Sequence, residues 1–319
     1  PYMLRKAQRR AVVKALQSAV SSNETIREEM TFFTLIAAPG YPELIDEMLS
    51  LNTDRKETAF VIVDTPMRLA PQGQTLINWM SGNNAASTGE DGLIVSGGSA
   101  YQAACYYPSG LATDLNGNDV VVPASHMMLR TFLRNDTIGY PWLAAAGTRR
   151  GIIDNALTIG YIDAATGEYQ VIKNRVGIRD VLYLNQINPL AFFTSVGLLN
   201  YGNKNSKDTM SAMDRTNVAR LVAYIRERLQ VVARPFVFEP NDALTRNQIT
   251  AVVQTLFVDL VAKRGLYDYL VVCDSSNNTP ARIDRNELWI DVAIEPVKAA
   301  EFIYIPVRIM NTGEIASLK

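Results

Sequence analysis

The sequence predicts an α/β fold followed by a smaller α+β region. The chain has 319 residues, 48% of them hydrophobic and 20% charged, which is typical of folded domains. Two apolar runs without alternation, at residues 32–38 and 59–63, flank a helical pattern, and this order is typical of a βαβ unit with a parallel sheet. Two further helical patterns precede strand-like runs near the end of the chain. Because the chain exceeds the usual size of one core, we expect two domains.

Charge and residue usage exclude several classes of protein. Thirty-one basic against 32 acidic residues leave a formal net charge of -1, so we expect neither nucleic acid nor a membrane as a partner. Two cysteines are too few for a disulfide framework and, without a signal peptide, indicate folding inside a cell. The single histidine, His126, excludes a histidine-rich metal site. The chain begins at Pro1 without an initiator, which indicates a piece of a longer protein.

The first elements follow from hydrophobic periodicity. Residues 4–20 have apolar side chains at helical spacing and a basic remaining face, which we interpret as a solvated helix surface. An apolar run at 32–40 ends in Pro-Gly, a helical pattern covers 44–49, and a second strand covers 59–66. A short run at 93–96 predicts a further strand of the same sheet.

The middle of the chain is less regular. Residues 81–92 and 110–120 are rich in Gly, Asn, Ser and Asp, which predicts loops. A helix is expected over 119–135, short apolar runs over 151–171, and another helix over 175–184.

A break at Asn188-Pro189 is the predicted domain boundary, dividing the chain into domains 1–187 and 188–319. The second domain should hold an amphipathic helix over 214–232 and a helix capped by Asn241 or Asp242. The predicted core side of this last helix carries five apolar residues: Ile249, Val252, Val253, Leu256 and Leu260. Its predicted stop is Gly265, and two strands should follow at 288–294 and 302–310.

Candidate catalytic groups are weak. Asp64 follows an apolar strand as a magnesium ligand would, but the phosphate-binding pattern G-x-x-x-x-G-K-[ST] is absent from the sequence. Ser99 lacks the second glycine of a nucleophile elbow, and His126 would be its only histidine base. The carboxylates at 28–29 and 43–47 are typical of solvated helices. Cys105 and Cys273 lie in apolar surroundings that suit small buried side chains.

An α/β chain without a recognisable site favours function through surfaces. The alternative is an α/β enzyme that binds a nucleotide or small molecule at the sheet edge near Asp64 and Thr65. A third interpretation is a capsid or other virion protein.

Several strings resemble the sheath proteins of contractile injection machines, such as myophage tails and R-type pyocins. The strongest strings, in order, are DRTNVARL at 214–221, FEPND at 238–242, GLYD at 265–268, VVCD at 271–274, NTP at 278–280 and IEPVKAAEFI at 294–303. Upstream, LIAAPG at 35–40, FVIVDTP at 60–66 and YPWLAAAG at 140–147 are similar to the same family. The family's W-x-A-P-A-G proline is replaced by Ala145, and its V-W-G-A-R-T string is degenerate at 195–199. These departures favour a distant branch, such as that of giant phages of the phiKZ type.

The resemblance implies a subtilisin-like α/β domain without a protease triad, followed by an α+β sheath C-terminal domain. It implies a structural subunit that forms stacked hexameric rings around a tail tube and contracts to drive the tube through the host envelope. It implies no enzyme activity and no cofactor. The expected partners are other sheath subunits, the tube protein, the baseplate and the tail terminator, in a virion tail assembled in the host cytoplasm.

Two surfaces are candidates for contacts. Exposed basic residues late in the chain are the candidates for contact with the tube: Lys263, Arg264, Arg282 and Arg285. The predicted edge strand at 302–310 is the candidate acceptor of a neighbour's arm, through Phe302, Tyr304, Pro306 and Arg308. Without its arms, this chain should stay monomeric.

Overall fold

The computed structural model describes residues 2–28, 31–80, 98–173, 175–301 and 303–305. The helices are α1 (Tyr2–Ser22), α2 (Ile45–Asp54), α3 (Gly73–Met80), α4 (Ala124–Ile138), α5 (Gly147–Arg150), α6 (Val176–Leu184), α7 (Thr216–Ala233), α8 (Ala243–Ala262) and α9 (Pro280–Ile283). The strands are β1 (Leu35–Ala37), β2 (Phe60–Asp64), β3 (Ala103–Tyr107), β4 (Ser109–Thr113), β5 (Asp119–Val122), β6 (Thr158–Ile162), β7 (Tyr169–Val171), β8 (Ile187–Phe193), β9 (Gly197–Asn200), β10 (Leu266–Val272) and β11 (Asp291–Pro296). Among the described residues, none of the helices has the length and apolarity to span a membrane.

The central sheet has the strand order β1-β2-β3-β8-β9. The first four strands are parallel, and β9 returns antiparallel to β8. The predicted unit β1–α2–β2 is confirmed, with Leu35 paired to Phe60. Every residue of β2 is buried because helices cover both faces of the sheet, as the absence of alternation predicted. Phe132 of α4 packs edge-on against Phe60 on one of these faces.

The third strand of this sheet differs from the prediction. The run predicted at 93–96 lies outside the described residues, and the strand beside β2 is β3. Small residues such as Ala103 and Ala104 carry little strand signal in sequence, although both are fully buried here.

The predicted break at Asn188-Pro189 is wrong, because both residues lie inside β8 and pair with β3. The Asn188 side chain is buried, and its amide donates to the carbonyls of Cys105 and Lys204, at 3.1 and 2.7 Å. These hydrogen bonds offset the free energy of removing the amide from water. The strand in which the predicted boundary falls is therefore part of the central sheet. The division into domains 1–187 and 188–319 stays a prediction.

A second sheet has the order β5-β4-β6-β7 and is antiparallel throughout. The loop predicted over 110–120 is wrong, since this segment forms most of the β4–β5 hairpin. Its turn is closed by Asp114, whose carboxylate accepts from the backbone N–H of Asn116 and Asn118, both at 2.8 Å. For the same reason the helix predicted from residue 119 begins only at Ala124.

The last layer consists of α7, α8 and the two-stranded sheet β10–β11. Asp242 caps α8 as predicted, accepting from the backbone N–H of Thr245 at 2.8 Å. Four of the five predicted core residues of α8 are buried or partly buried, but Val252 is 45% exposed because it points away from the packed face. The helix predicted over 214–232 is confirmed as α7.

The predicted C-terminal strands are partly corrected. The first strand begins at Asp291 rather than at residue 288, and its partner β10 lies before it in the chain. Of the second predicted strand, residues 303–305 are described, and they are exposed and form no strand. Phe302, Pro306 and Arg308 lie outside the described residues, whereas the Tyr304 side chain is 88% exposed.

Candidate functional site

Asp64 is held by the chain's own donors. Its carboxylate accepts from the backbone N–H of Gly40 at 2.7 Å, and from the backbone N–H and hydroxyl of Ser125 at 2.5 and 2.7 Å. Gly40 has a φ of 84°, which a residue with a side chain rarely adopts. Burial raises the pKa of Asp64 to about 6, against the lowering effect of these hydrogen bonds. The carboxylate ties the turn after β1 to the first turn of α4.

The enzyme alternative at this sheet edge therefore has no support. The carboxylate oxygens of Asp64 are already engaged, and the neighbouring Thr65 hydroxyl donates to the carbonyl of Tyr106 at 3.1 Å. The ring of His126 is on the exposed side of α4 and has no described hydrogen bond to a serine or carboxylate. Within the described ranges, no group of three or more His, Cys, Asp or Glu side chains could hold a metal ion.

The two cysteines are buried and free. Burial raises the pKa of the Cys105 thiol far above its usual range, and it raises the pKa of Cys273 as well. A thiol in this state is a poor nucleophile because the thiolate is the reactive form. Their surroundings agree with the interpretation of both residues as small core side chains.

The four candidate tube contacts lie in two places. Lys263 and Arg264 follow α8, and Lys263 pairs with Asp259 at 2.7 Å. Arg282 of α9 stacks over the ring of Trp289 at 3.9 Å.

Arg285 lies just after α9 and pairs with Glu287 at 2.9 Å. Three of the four cationic groups are thus engaged within the chain, which leaves Arg264 as an exposed cation with a φ of 61°. Contact of these residues with a tube stays a prediction.

Helix α7 fastens the last layer to the central sheet through two arginines. The Arg220 side chain is 3% exposed and pairs with Asp136 at 2.5 Å. One turn and a half later, Arg226 pairs with Glu57 and with the Tyr101 hydroxyl, the latter at 2.7 Å. Neither contact has a local sequence signal, because the partners lie 84 and 169 residues away along the chain.

Trp142 forms a second junction, in the turn whose string resembles W-x-A-P-A-G. Its ring stacks on Tyr140 at 4.8 Å and meets the edge of Tyr224 from α7 at 5.2 Å. Its indole N–H donates to the carbonyl of Lys263 at 3.1 Å. Because Trp142 contacts both α7 and the end of α8, it packs the last layer against the rest of the chain.

The β10–β11 sheet is the candidate functional site because, among the described residues, one of its faces and both of its edges are open. Its inner face packs on α8, where Tyr269 stacks on Phe257 at 5.2 Å. Its outer face is open, with Tyr267 64% and Leu270 60% exposed. Within the described part of the chain the sheet has two strands, so both of its edges present unpaired backbone groups. An edge of this kind can accept a strand from another chain.

Comparisons with known proteins point to one family. A model of the phage tail sheath C-terminal domain matches residues 208–310, which contain α7, α8 and the β10–β11 sheet. The tail sheath protein of Enterobacteria phage T4 is 32% identical over 180 residues, covering 56% of this chain and 26% of that protein. The tail sheath protein of Vibrio phage KVP40 is 32% identical over 168 residues, covering 53% of this chain and 23% of that protein. The chain thus spans about a quarter of the length of these curated relatives.

Solved structures extend the likeness to most of the fold. The helical sheath of the anti-feeding prophage in its contracted state superimposes with a TM-score of 0.63 at 20% identity, covering 86% of this chain and 70% of that one. The contracted PVC sheath complex of an extracellular contractile injection system gives 0.63 at 19% identity, covering 93% and 75%. The chain shares the mixed α/β fold of these structures. The resemblance to contractile tail sheath proteins is confirmed, and residues 208–310 match the phage tail sheath C-terminal domain.

Proposed function

We propose that this chain is a structural subunit of a contractile tail sheath. In this proposal the subunits form stacked hexameric rings around the tail tube and contract to drive the tube through the host envelope. The observation that carries the proposal is that the family match falls on α7, α8 and the open β10–β11 sheet. The proposed location is the virion tail, after assembly in the host cytoplasm, and no cofactor takes part.

The subunits connect by strand addition. Each edge of the β10–β11 sheet offers backbone N–H and C=O groups to an extended arm of a neighbour. Residues 302–310 remain the proposed second acceptor, next to β11 in the chain. Each backbone hydrogen bond contributes about 0.5–1.5 kcal/mol to the stability of the link. A strand of several residues forms several such bonds and therefore gives a stable link.

Contraction is a change of packing between nearly rigid subunits. The ion pair between Arg220 and Asp136 and the contacts of Trp142 support this rigidity, because both tie the last layer to the rest of the chain. The tube protein, the baseplate and the tail terminator are the further proposed partners. The proposed tube contacts are Lys263, Arg264, Arg282 and Arg285, of which Arg264 and Arg285 are exposed.

We infer two domains in the subunit, a subtilisin-like α/β domain without a protease triad and a C-terminal α+β domain. The parallel order of β1, β2, β3 and β8 supports the first assignment. Because β8 and β9 pair within the first sheet, we propose that the boundary falls at residues 201–215 instead of 187/188.

Negative-stain microscopy of the full-length protein that carries this sequence tests the proposal. A sheath subunit should form long striated tubes. Closed shells would favour a capsid protein instead. Binding of ATP or magnesium in calorimetry, with no tubes, would contradict the proposal in favour of an enzyme.

A further inference from the structure

We propose that the outer face of the β10–β11 sheet binds helix α1 of a second copy of this chain. The inference deepens the proposed function and rests on it, because a polymer of copies brings the two surfaces together. It concerns the face of the sheet, which is distinct from the edges that accept strands.

The sheet face is unpartnered and has a defined set of side chains. The antiparallel register pairs Leu270 with Ala293 at the centre of this face and Asp268 with Glu295 beside them. All four side chains are exposed, whereas the side chains that alternate with them pack inward: Tyr269, Val271, Val292 and Ile294. The face therefore has a small apolar centre and an acidic flank.

The acidic flank is unfavourable as long as the face stays open. Asp268 and Glu295 are directly opposite one another, an arrangement in which like charges destabilise a sheet. Strands β10 and β11 contain three carboxylates and no basic residue, as LYDYLVV and DVAIEP read. Among the described residues, no lysine or arginine forms an ion pair with Asp268 or Glu295. A cationic surface from outside would relieve this repulsion.

Helix α1 has the complementary surface. It contains five basic residues and no acidic one. Arg9 turns inward to pair with Glu43, whereas Arg10 and Lys14 are exposed one turn apart. Ala11 is exposed beside them, and its small side chain lets another surface approach the helix closely.

The two surfaces are held by different parts of one chain. Helix α1 packs against α2, on the central sheet, and β10 packs against α8 in the last layer. Among the described elements, α1 does not pack on β10 or β11, so the proposed contact joins two copies.

Cysteine cross-linking tests this contact directly. One population of the full chain carries Ala11→Cys and a second, of different mass, carries Ala293→Cys. The native Cys105 and Cys273 are buried and do not compete. The matched control replaces the second population with Ala165→Cys, an exposed alanine in the β6–β7 turn.

At low salt, the mixed 11–293 disulfide should form about tenfold faster than the 11–165 control, an enhancement within the range of electrostatic steering. At 1 M salt, or after Asp268→Lys with Glu295→Lys, the rate should fall to that of the control, since charges are then screened or reversed. Equal rates for the two pairs at low salt would overturn the inference. Striated tubes with equal rates would overturn the inference alone, and cross-linking without tubes would contradict the proposed function alone.

Discussion

The central sheet and the β10–β11 sheet differ in how completely they are buried. In the central sheet, β2 and β3 are buried throughout, and a polar group such as Asp64 has its hydrogen bonds supplied from within the chain. In the last layer, β10 and β11 leave one face and two edges open. Asp64, which resembles a magnesium ligand in sequence, is thus engaged within the fold, and the proposed binding surface is the sheet with an open face and open edges.

The ion pair that joins the two regions, between Arg220 and Asp136, should give the largest effect on stability. Arg220→Ala removes the partner of Asp136 from a site where the arginine is 3% exposed. We expect the free energy of unfolding to fall by about 3 kcal/mol, because the variant leaves the Asp136 carboxylate, whose side chain is only 21% exposed, without its cation. Urea denaturation measures the change. Arg285→Ala, which breaks an exposed pair, is the control and should cost less than about 1 kcal/mol. An equal loss of unfolding free energy in the two variants would contradict the role of the Arg220–Asp136 pair in joining the two regions.

The next effect is a pH dependence centred on Asp64. Its pKa is raised from 3.8 to about 6 in the folded chain, so the folded state holds the proton more tightly than the unfolded state. The contribution of this group to the free energy of unfolding is therefore present at low pH and falls as pH rises from about 4 to about 6, by about 3 kcal/mol in total.

The Asp64→Asn variant lacks this titration, and the difference between wild type and variant isolates it. Denaturation at several pH values should show the wild type losing stability relative to the variant as pH rises. A difference that stays constant with pH would contradict the assignment.

Elements with a local hydrophobic period could be predicted from the sequence, whereas elements that depend on distant contacts could not. The strand β2 and the helices α7 and α8 were predicted because their burial has a local period. Strand β10 was missed because the register shifts between Leu266 and Asp268, which interrupts the period of two. The position of Asn188 inside a strand depends on carbonyls of Cys105 and Lys204, which no local pattern contains.

The candidate site was less predictable than the fold. The resemblance to contractile tail sheaths was recognisable from strings of residues. The open sheet, however, depends on β10, which was not predicted. Three of the four basic candidates proved to be paired within the chain, since charge alone does not reveal a partner.

The two faces of β10 should give the smallest difference in stability, but a clear one. Tyr269→Ala removes an inner ring stacked on Phe257 and should cost about 2 kcal/mol. Tyr267→Ala removes an outer ring that is 64% exposed and should cost about 0.5 kcal/mol or less. Urea denaturation of both variants checks this contrast. A larger cost at Tyr267 would mean that the outer face is packed rather than open.

Cryo-electron microscopy of assembled tubes shows directly whether the β10–β11 sheet is an assembly surface. We expect that in every subunit at least one strand from a neighbour pairs with β10 or β11 and extends the sheet beyond two strands. Tubes in which the sheet keeps two strands, with solvent along both edges, would contradict it.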